Sequence, residues 1–218
     1  MGVIPRVVLA LLAMSCGAHA RDLAQLGPLR ASAGEAVSGY LEVPALGDNG
    51  ARIPVSLVRG SGKGPVLALV AGTHGYEYPG ISALQRLRQS IDPRALRGTL
   101  ILVHIANPPS FYGRTIYTSP ADGKNLNRVF PGRPDGTLSE RIAYEITTQV
   151  IAKADFLVDL HAGDGNEALR PYVYMPITGD ARLDAASRGM ALAFGLDHIV
   201  IDAARISPRE ATQFVDHT

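Results

Sequence analysis

Apolar residues follow two rhythms along this chain. Residues 65–71, PVLALVA, and 99–106, TLILVHIA, are near-continuous apolar runs, the pattern of strands buried on both faces. A shorter run, DFLVDL at 155–160, predicts a third strand that ends at His161. Between these runs the period lengthens. Ile81, Leu84, Leu87 and Ile91 fall on one helical stripe behind Pro79, a residue suited to a helix's first turn. Leu138, Ile142, Ile146 and Val150 form a second stripe, running to about Ala152 and opened by a capping box of Thr137 and Glu140. A further helix is predicted over about 181–194 and a strand over about 198–202. RIPVSLV, at 52–58, predicts an extended edge segment, because Pro54 has no N–H to give to a central ladder.

Strands alternating with helices predict an α/β domain: a mostly parallel (mixed) sheet with helices on both faces. The strand-helix-strand order of 65–106 calls for a parallel pair. Residues 21–49 are expected to form a leader and edge segment, loosely patterned and rich in Ala and Gly up to about residue 38, and 50–218 the main domain. Residues 107–137 predict a long loop rich in Pro, Gly and Asn, and a loop of that length is usually functional or disordered.

Residues 1–20 are set apart. Arg6, the apolar VVLALLAMS and then Ala18-His19-Ala20 have the order of a secretory signal peptide cleaved after Ala20. The apolar stretch is too short to span a bilayer. The expected location is therefore periplasmic or secreted, with no membrane span. Cys16 is the only cysteine, so cleavage removes every thiolate ligand and every disulfide. Losing Arg6 takes the formal charge from +1 to 0, which leaves no basic field for nucleic acid or an anionic membrane. With 46% hydrophobic residues the chain can bury a core.

The polar residues carry the candidate chemistry. His74 and Glu77 follow the carboxyl end of the first buried run, Asn107 the second and His161 the third. Carboxyl ends of strands are where open α/β sheets bind ligands. Two histidines and a carboxylate fit a catalytic zinc with one position left open, and they also fit non-haem iron. The loop segment GRTIYTSPADGKNLNRVFPG holds Arg114, Lys124, Asn127 and Arg128. Asn127 and Arg128 together suit a substrate carboxylate, and Arg114 suits a developing oxyanion; a solvated basic loop is the alternative. A cationic pocket beside a metal points to a small anionic substrate. Asp159, two residues before His161, shares its strand face and is either a second-shell partner of the metal ligand or a strand-end cap. His104 reads as a core histidine, and Tyr76 and Tyr78 as flanks of the site.

GTHGYEYPG, the NP at 107–108, DGKNLNRVFPG and DLHAGD occur in the order and style of the succinylglutamate desuccinylase/aspartoacylase family, relatives of the zinc carboxypeptidases. The resemblance covers roughly residues 50–205 and is greatest to the branch that includes N-acetyl-diaminobutyrate deacetylases. It implies one zinc per chain on His74, Glu77 and His161, a substrate carboxylate on Asn127 and Arg128, and Arg114 as the carbonyl-polarising arginine. The implied reaction is hydrolysis of the amide bond of a small N-acylated amino acid or related carboxylate. The family's general base is a Glu well after the third ligand, in a β-rich C-terminal part. It is expected beyond residue 218, with Glu210 read as a surface residue and Glu167 not cast as the base. Two other readings compete: a metallocarboxypeptidase acting on peptides or cell-wall fragments, and a catalytically impaired metal-binding fragment.

Overall fold

The structure is a computed structural model that describes residues 22–203. The expected signal peptide, Glu210 and His217 lie outside the described residues. A small hairpin, β1 (Gln25–Leu26) and β2 (Leu29–Arg30), precedes the long strands β3 (Glu35–Val43), β4 (Ala51–Arg59) and β5 (Gly62–Ala71). Then come α1 (Tyr78–Ser90), β6 (Arg97–Val103), α2 (Pro108–Gly113), α3 (Leu138–Gln149), β7 (Phe156–Leu160), β8 (Val173–Ile177), α4 (Ala181–Phe194) and β9 (Ile199–Ala203).

Five strands form the main sheet in the order β3-β4-β6-β5-β7. The β3·β4 and β4·β6 ladders are antiparallel, and β6·β5 and β5·β7 are parallel. The sheet is mixed, and its parallel half carries the predicted site. Alternation sends successive side chains to opposite faces. Val66, Ala68 and Val70 of β5 meet Ile101 and Val103 of β6 in one core, which Leu138, Ile142, Ile146 and Val150 close from the α3 side. Ala71, Leu102, Ile81 and Leu84 form the second core under α1. Gly80 lets α1 sit against β7: a Cβ there would meet the Leu160 carbonyl oxygen at 3.0 Å. The capping box of α3 forms as expected, with Glu140 accepting from the Thr137 N–H at 2.8 Å.

Three expectations are completed or corrected. First, the leader and edge segment 21–49 supplies the edge strand of the main sheet, β3, which pairs along its whole length with β4. Its apolar signal is weak because most of its side chains stay partly exposed. Second, β4 is not an edge strand: it lies between β3 and β6. Pro54 is tolerated because it sits just past the last β6 pair, Val55↔Val103, where its carbonyl still accepts from the His104 N–H at 2.9 Å. The third concerns β8, which interrupts its own apolar run with Pro176 and was not expected. It pairs in parallel with β9 as a separate two-stranded sheet, with α4 packed on β8. No helix among the described residues is long and apolar enough to cross a membrane.

Candidate metal centre

The parallel order β6-β5-β7 brings three carboxyl ends to one edge. The register Ala71↔Leu160 sets the turn after β5 beside His161, the first residue after β7. The turn itself is tight. A Cβ at Gly75 would lie 2.1 Å from the Phe111 nitrogen, so only glycine admits this approach to α2. Asn107 fastens the same turn: its N–H donates to the Gly72 carbonyl at 2.9 Å and its side-chain amide to the Thr73 carbonyl at 3.3 Å. It also caps α2, accepting from the Ser110 N–H. Asn107 is therefore a scaffold residue.

His74, Glu77 and His161 converge. One ligand atom from each lies within 4.8 Å of the other two. Glu77 stands between the histidines, with Oε1 2.8 Å from His74 Nδ1 and Oε2 2.9 Å from His161 Nδ1. The Ala162 N–H donates to the same Oε2 at 3.0 Å. The two rings lie 5.1 Å apart, centroid to centroid. Tetrahedral zinc holds such donors at about 2.0–2.2 Å, so the three atoms would draw closer together to share one ion. Two imidazoles and a carboxylate, without thiolate, are also the donor set expected of such a site.

The outward ring nitrogens decide how the histidines face the centre. His161 Nε2 lies 2.9 Å from Asp159 Oδ2. Asp159 is buried and also accepts from the Thr73 hydroxyl at 3.2 and 3.3 Å. A carboxylate accepts only, so His161 carries a proton on Nε2, and Nδ1 is the nitrogen that would face a cation once the proton it donates to Glu77 is displaced. His74 Nε2 lies 3.2 Å from Asn125 Oδ1. That oxygen is identified by the Asn127 N–H, which donates to it at 2.8 Å, so His74 is held in the same tautomer. Burial works against charge on Glu77, but its bonds to His161 and His74 hold it down to about 2. Burial also disfavours charge on His161, yet Asp159 and Glu77 push it up to about 11. Such protons must leave when a cation binds.

Asp159 holds the outer nitrogen of His161, as a partner of a metal-ligating imidazole would. Asp159→Asn should lower zinc affinity by roughly 10–100-fold, because the ring loses its anionic partner. A competition titration against a chromophoric chelator measures it, and an unchanged affinity would leave Asp159 as a strand-end cap.

Asn127 and Arg128 sit on a single 3-10 turn, Leu126–Arg128, whose cap is Asn125. Asn127 is buried and Arg128 exposed. Asn125 therefore joins His74 of the candidate metal trio to the predicted carboxylate arm. Its position two residues before Asn127 in KNLNR was its only trace in the sequence. Arg114 is placed differently. It caps α2 in a left-handed conformation (φ 51°) and lines a groove of about 600 Å³ with Tyr76, Tyr78, Phe111 and Tyr112. No hydrogen bond or ion pair joins it to the metal trio among the described residues. Tyr117, also left-handed (φ 59°), stacks edge-on to His74 at 5.2 Å. His104 is half-buried, with Nε2 2.8 Å from Ser56 Oγ and a buried Nδ1 that has no partner among the described residues.

Known proteins share the sequence and the fold of this chain. Residues 63–215 match the model of the Succinylglutamate desuccinylase/Aspartoacylase catalytic domain. An N-alpha-acetyl-L-2,4-diaminobutyric acid deacetylase from Halomonas elongata is 37% identical over 168 residues, 75% of this chain and 48% of the relative. A succinylglutamate desuccinylase from Silicibacter sp. superposes with a TM-score of 0.74 at 32% identity, covering 83% of this chain and 56% of that one. The product-bound ectoine utilization protein EutE (DoeB) from Ruegeria pomeroyi superposes with a TM-score of 0.71 at 29% identity, covering 87% and 59%. The chain spans about half the length of the curated relative it matches. Its relatives are named as deacetylases and desuccinylases, and by matched sequence, shared fold and converging polar residues the chain belongs to the succinylglutamate desuccinylase/aspartoacylase family.

Proposed function

We propose that this chain carries the metal-binding part of a zinc-dependent hydrolase that cleaves the amide bond of a small N-acylated amino acid or related carboxylate. The observation that carries the reading is the inward pair of Nδ1 atoms on His74 and His161 with Glu77 between them, each outer nitrogen held by its own acceptor. Bound zinc would lower the pKa of water to about 7 and polarise a carbonyl. Around it, Asp159 and Asn125 keep the imidazoles oriented. Arg128 and Asn127 anchor a substrate carboxylate on the turn that Asn125 ties to His74, which fixes the distance from carboxylate to scissile bond. Arg114, approaching from the aromatic groove, would face the acyl side and balance charge growing on the carbonyl oxygen. We also propose that the protein acts outside the cytoplasm, from the signal-like residues 1–20.

The test uses this chain extended to the length of its relatives, assayed on N-acetyl and N-succinyl amino acids and on C-terminally unblocked peptides. Hydrolysis of the N-acyl amino acids should vanish with a chelator and return with zinc. Turnover of the peptides alone would favour a metallocarboxypeptidase, and turnover indifferent to chelation would remove the metal from the account.

A further inference from the structure

Asp164 is not explained by the site described so far. It is 3% exposed, and neither carboxylate oxygen has a hydrogen-bond partner. A buried carboxylate without a partner is costly, and such orphans usually mark an ion or water that the protein holds. Its backbone, by contrast, is well fastened. The Asp164 N–H donates to Glu167 Oε2 at 3.1 Å, and the Glu167 N–H donates back to the Asp164 carbonyl at 3.0 Å. Glu167 also accepts from the Tyr117 hydroxyl at 3.3 Å, and Tyr117 packs on His74. At the other end of the loop, Ala162 is pinned to Glu77. The loop 162–167 is thus tied at both ends to residues of the metal trio or to their neighbour. Glycine is required within it, since a Cβ at Gly163 would meet the Glu167 carbonyl at 2.5 Å. The fold holds Asp164 in place through its main chain and leaves its charge unspent.

That charge sits beside the trio: Ala162, two residues before it, is pinned to Glu77, and Tyr117, tied to Glu167, packs on His74. Glu77 and Asp164 are both buried carboxylates, and a divalent cation is a species that would offset the charge of both. Asp164 stands outside the tight group of three ligand atoms, so its part is that of an outer charge.

We propose that Asp164 is a counter-charge to the metal held by His74, Glu77 and His161: a positioning carboxylate of the metal centre whose function is to raise cation affinity. The inference rests on the metal reading above.

The experiment compares zinc affinity, by chelator competition, and metal-free melting temperature in the wild-type chain, Asp164→Asn and Glu167→Gln. Asp164→Asn should bind zinc roughly 10–100-fold more weakly, yet melt without metal at or above the wild-type temperature, because an unpartnered buried charge has gone. Glu167→Gln should stay within about threefold of wild type in affinity, since it alters the loop's tie and not the buried charge. Wild-type affinity in Asp164→Asn would overturn the proposal while leaving the trio intact. A lower metal-free melting temperature, or failure of Asp164→Asn to fold, would also overturn it, since it would make the carboxylate a fold contact. Equal losses in Asp164→Asn and Glu167→Gln would assign the effect to the loop. No zinc binding by wild type would remove both this inference and the metal reading.

Discussion

Replacing His161 with alanine is expected to weaken zinc binding by a factor of roughly one hundred to one thousand and to abolish hydrolysis. The free energy of zinc binding to protein sites, about 10–16 kcal/mol, spread over four positions gives about 2.5–4 kcal/mol per ligand. Each 1.4 kcal/mol is about tenfold. His161 reaches the centre through Nδ1, and no other imidazole among the described residues takes its place in the group. The substitution also takes one partner from each of two carboxylates. Glu77 Oε2 loses the ring at 2.9 Å and keeps the Ala162 N–H, and Asp159 loses the ring nitrogen at 2.9 Å and keeps the Thr73 hydroxyl. His74→Ala should have a similar effect on affinity and leave Asn125 without its ring partner. Chelator competition on both variants, with circular dichroism to show that each is folded, measures the loss. Full retention of affinity in either one would disqualify that residue as a ligand.

The second large effect concerns substrate. In a chain extended to the relatives' length, Arg128→Ala is expected to raise KM for an N-acyl amino acid by one to two orders of magnitude, with kcat changing far less. A hydrogen bond to a charged group contributes roughly 1.5–3 kcal/mol, and a bidentate guanidinium contact lies at the upper end of that range. Arg128 is exposed at the end of the Leu126–Arg128 turn, and its guanidinium donates to the Asn127 carbonyl at 3.3 Å. An analogue lacking the carboxylate should be almost insensitive to the substitution. Equal losses with both substrates would make Arg128 a support for the turn and move the carboxylate elsewhere.

The elements easiest to read from the sequence were those whose burial is set by their own periodicity. β5 and β6 are buried strands flanked by sharp turns, and α1 and α3 each lay one apolar stripe on the sheet. The trio was legible for a related reason. Parallel strands share a carboxyl end, so a polar residue just past each strand must arrive at the same edge. Harder to see were contacts that depend on where a long loop returns. Asn125 reaches His74 across 51 residues, with no period to announce it. Asp164 resembles any acidic loop residue until its burial is known. β3 hid because a half-exposed strand with Ala, Ser and Gly has little apolar contrast. Pro54 misled for the opposite reason: the rule against proline in central strands holds for ladder positions, and this one lies just beyond the ladder with β6.

His74, Glu77 and His161 are expected to hold a single zinc. X-ray absorption at the zinc edge, on the chain loaded with one equivalent of zinc, tests it most directly. The predicted spectrum shows two imidazole nitrogens and carboxylate or water oxygens at about 2.0–2.2 Å with no sulfur, and one imidazole fewer in His161→Ala. A wild-type spectrum without two imidazoles, or one that His161→Ala leaves unchanged, would contradict it.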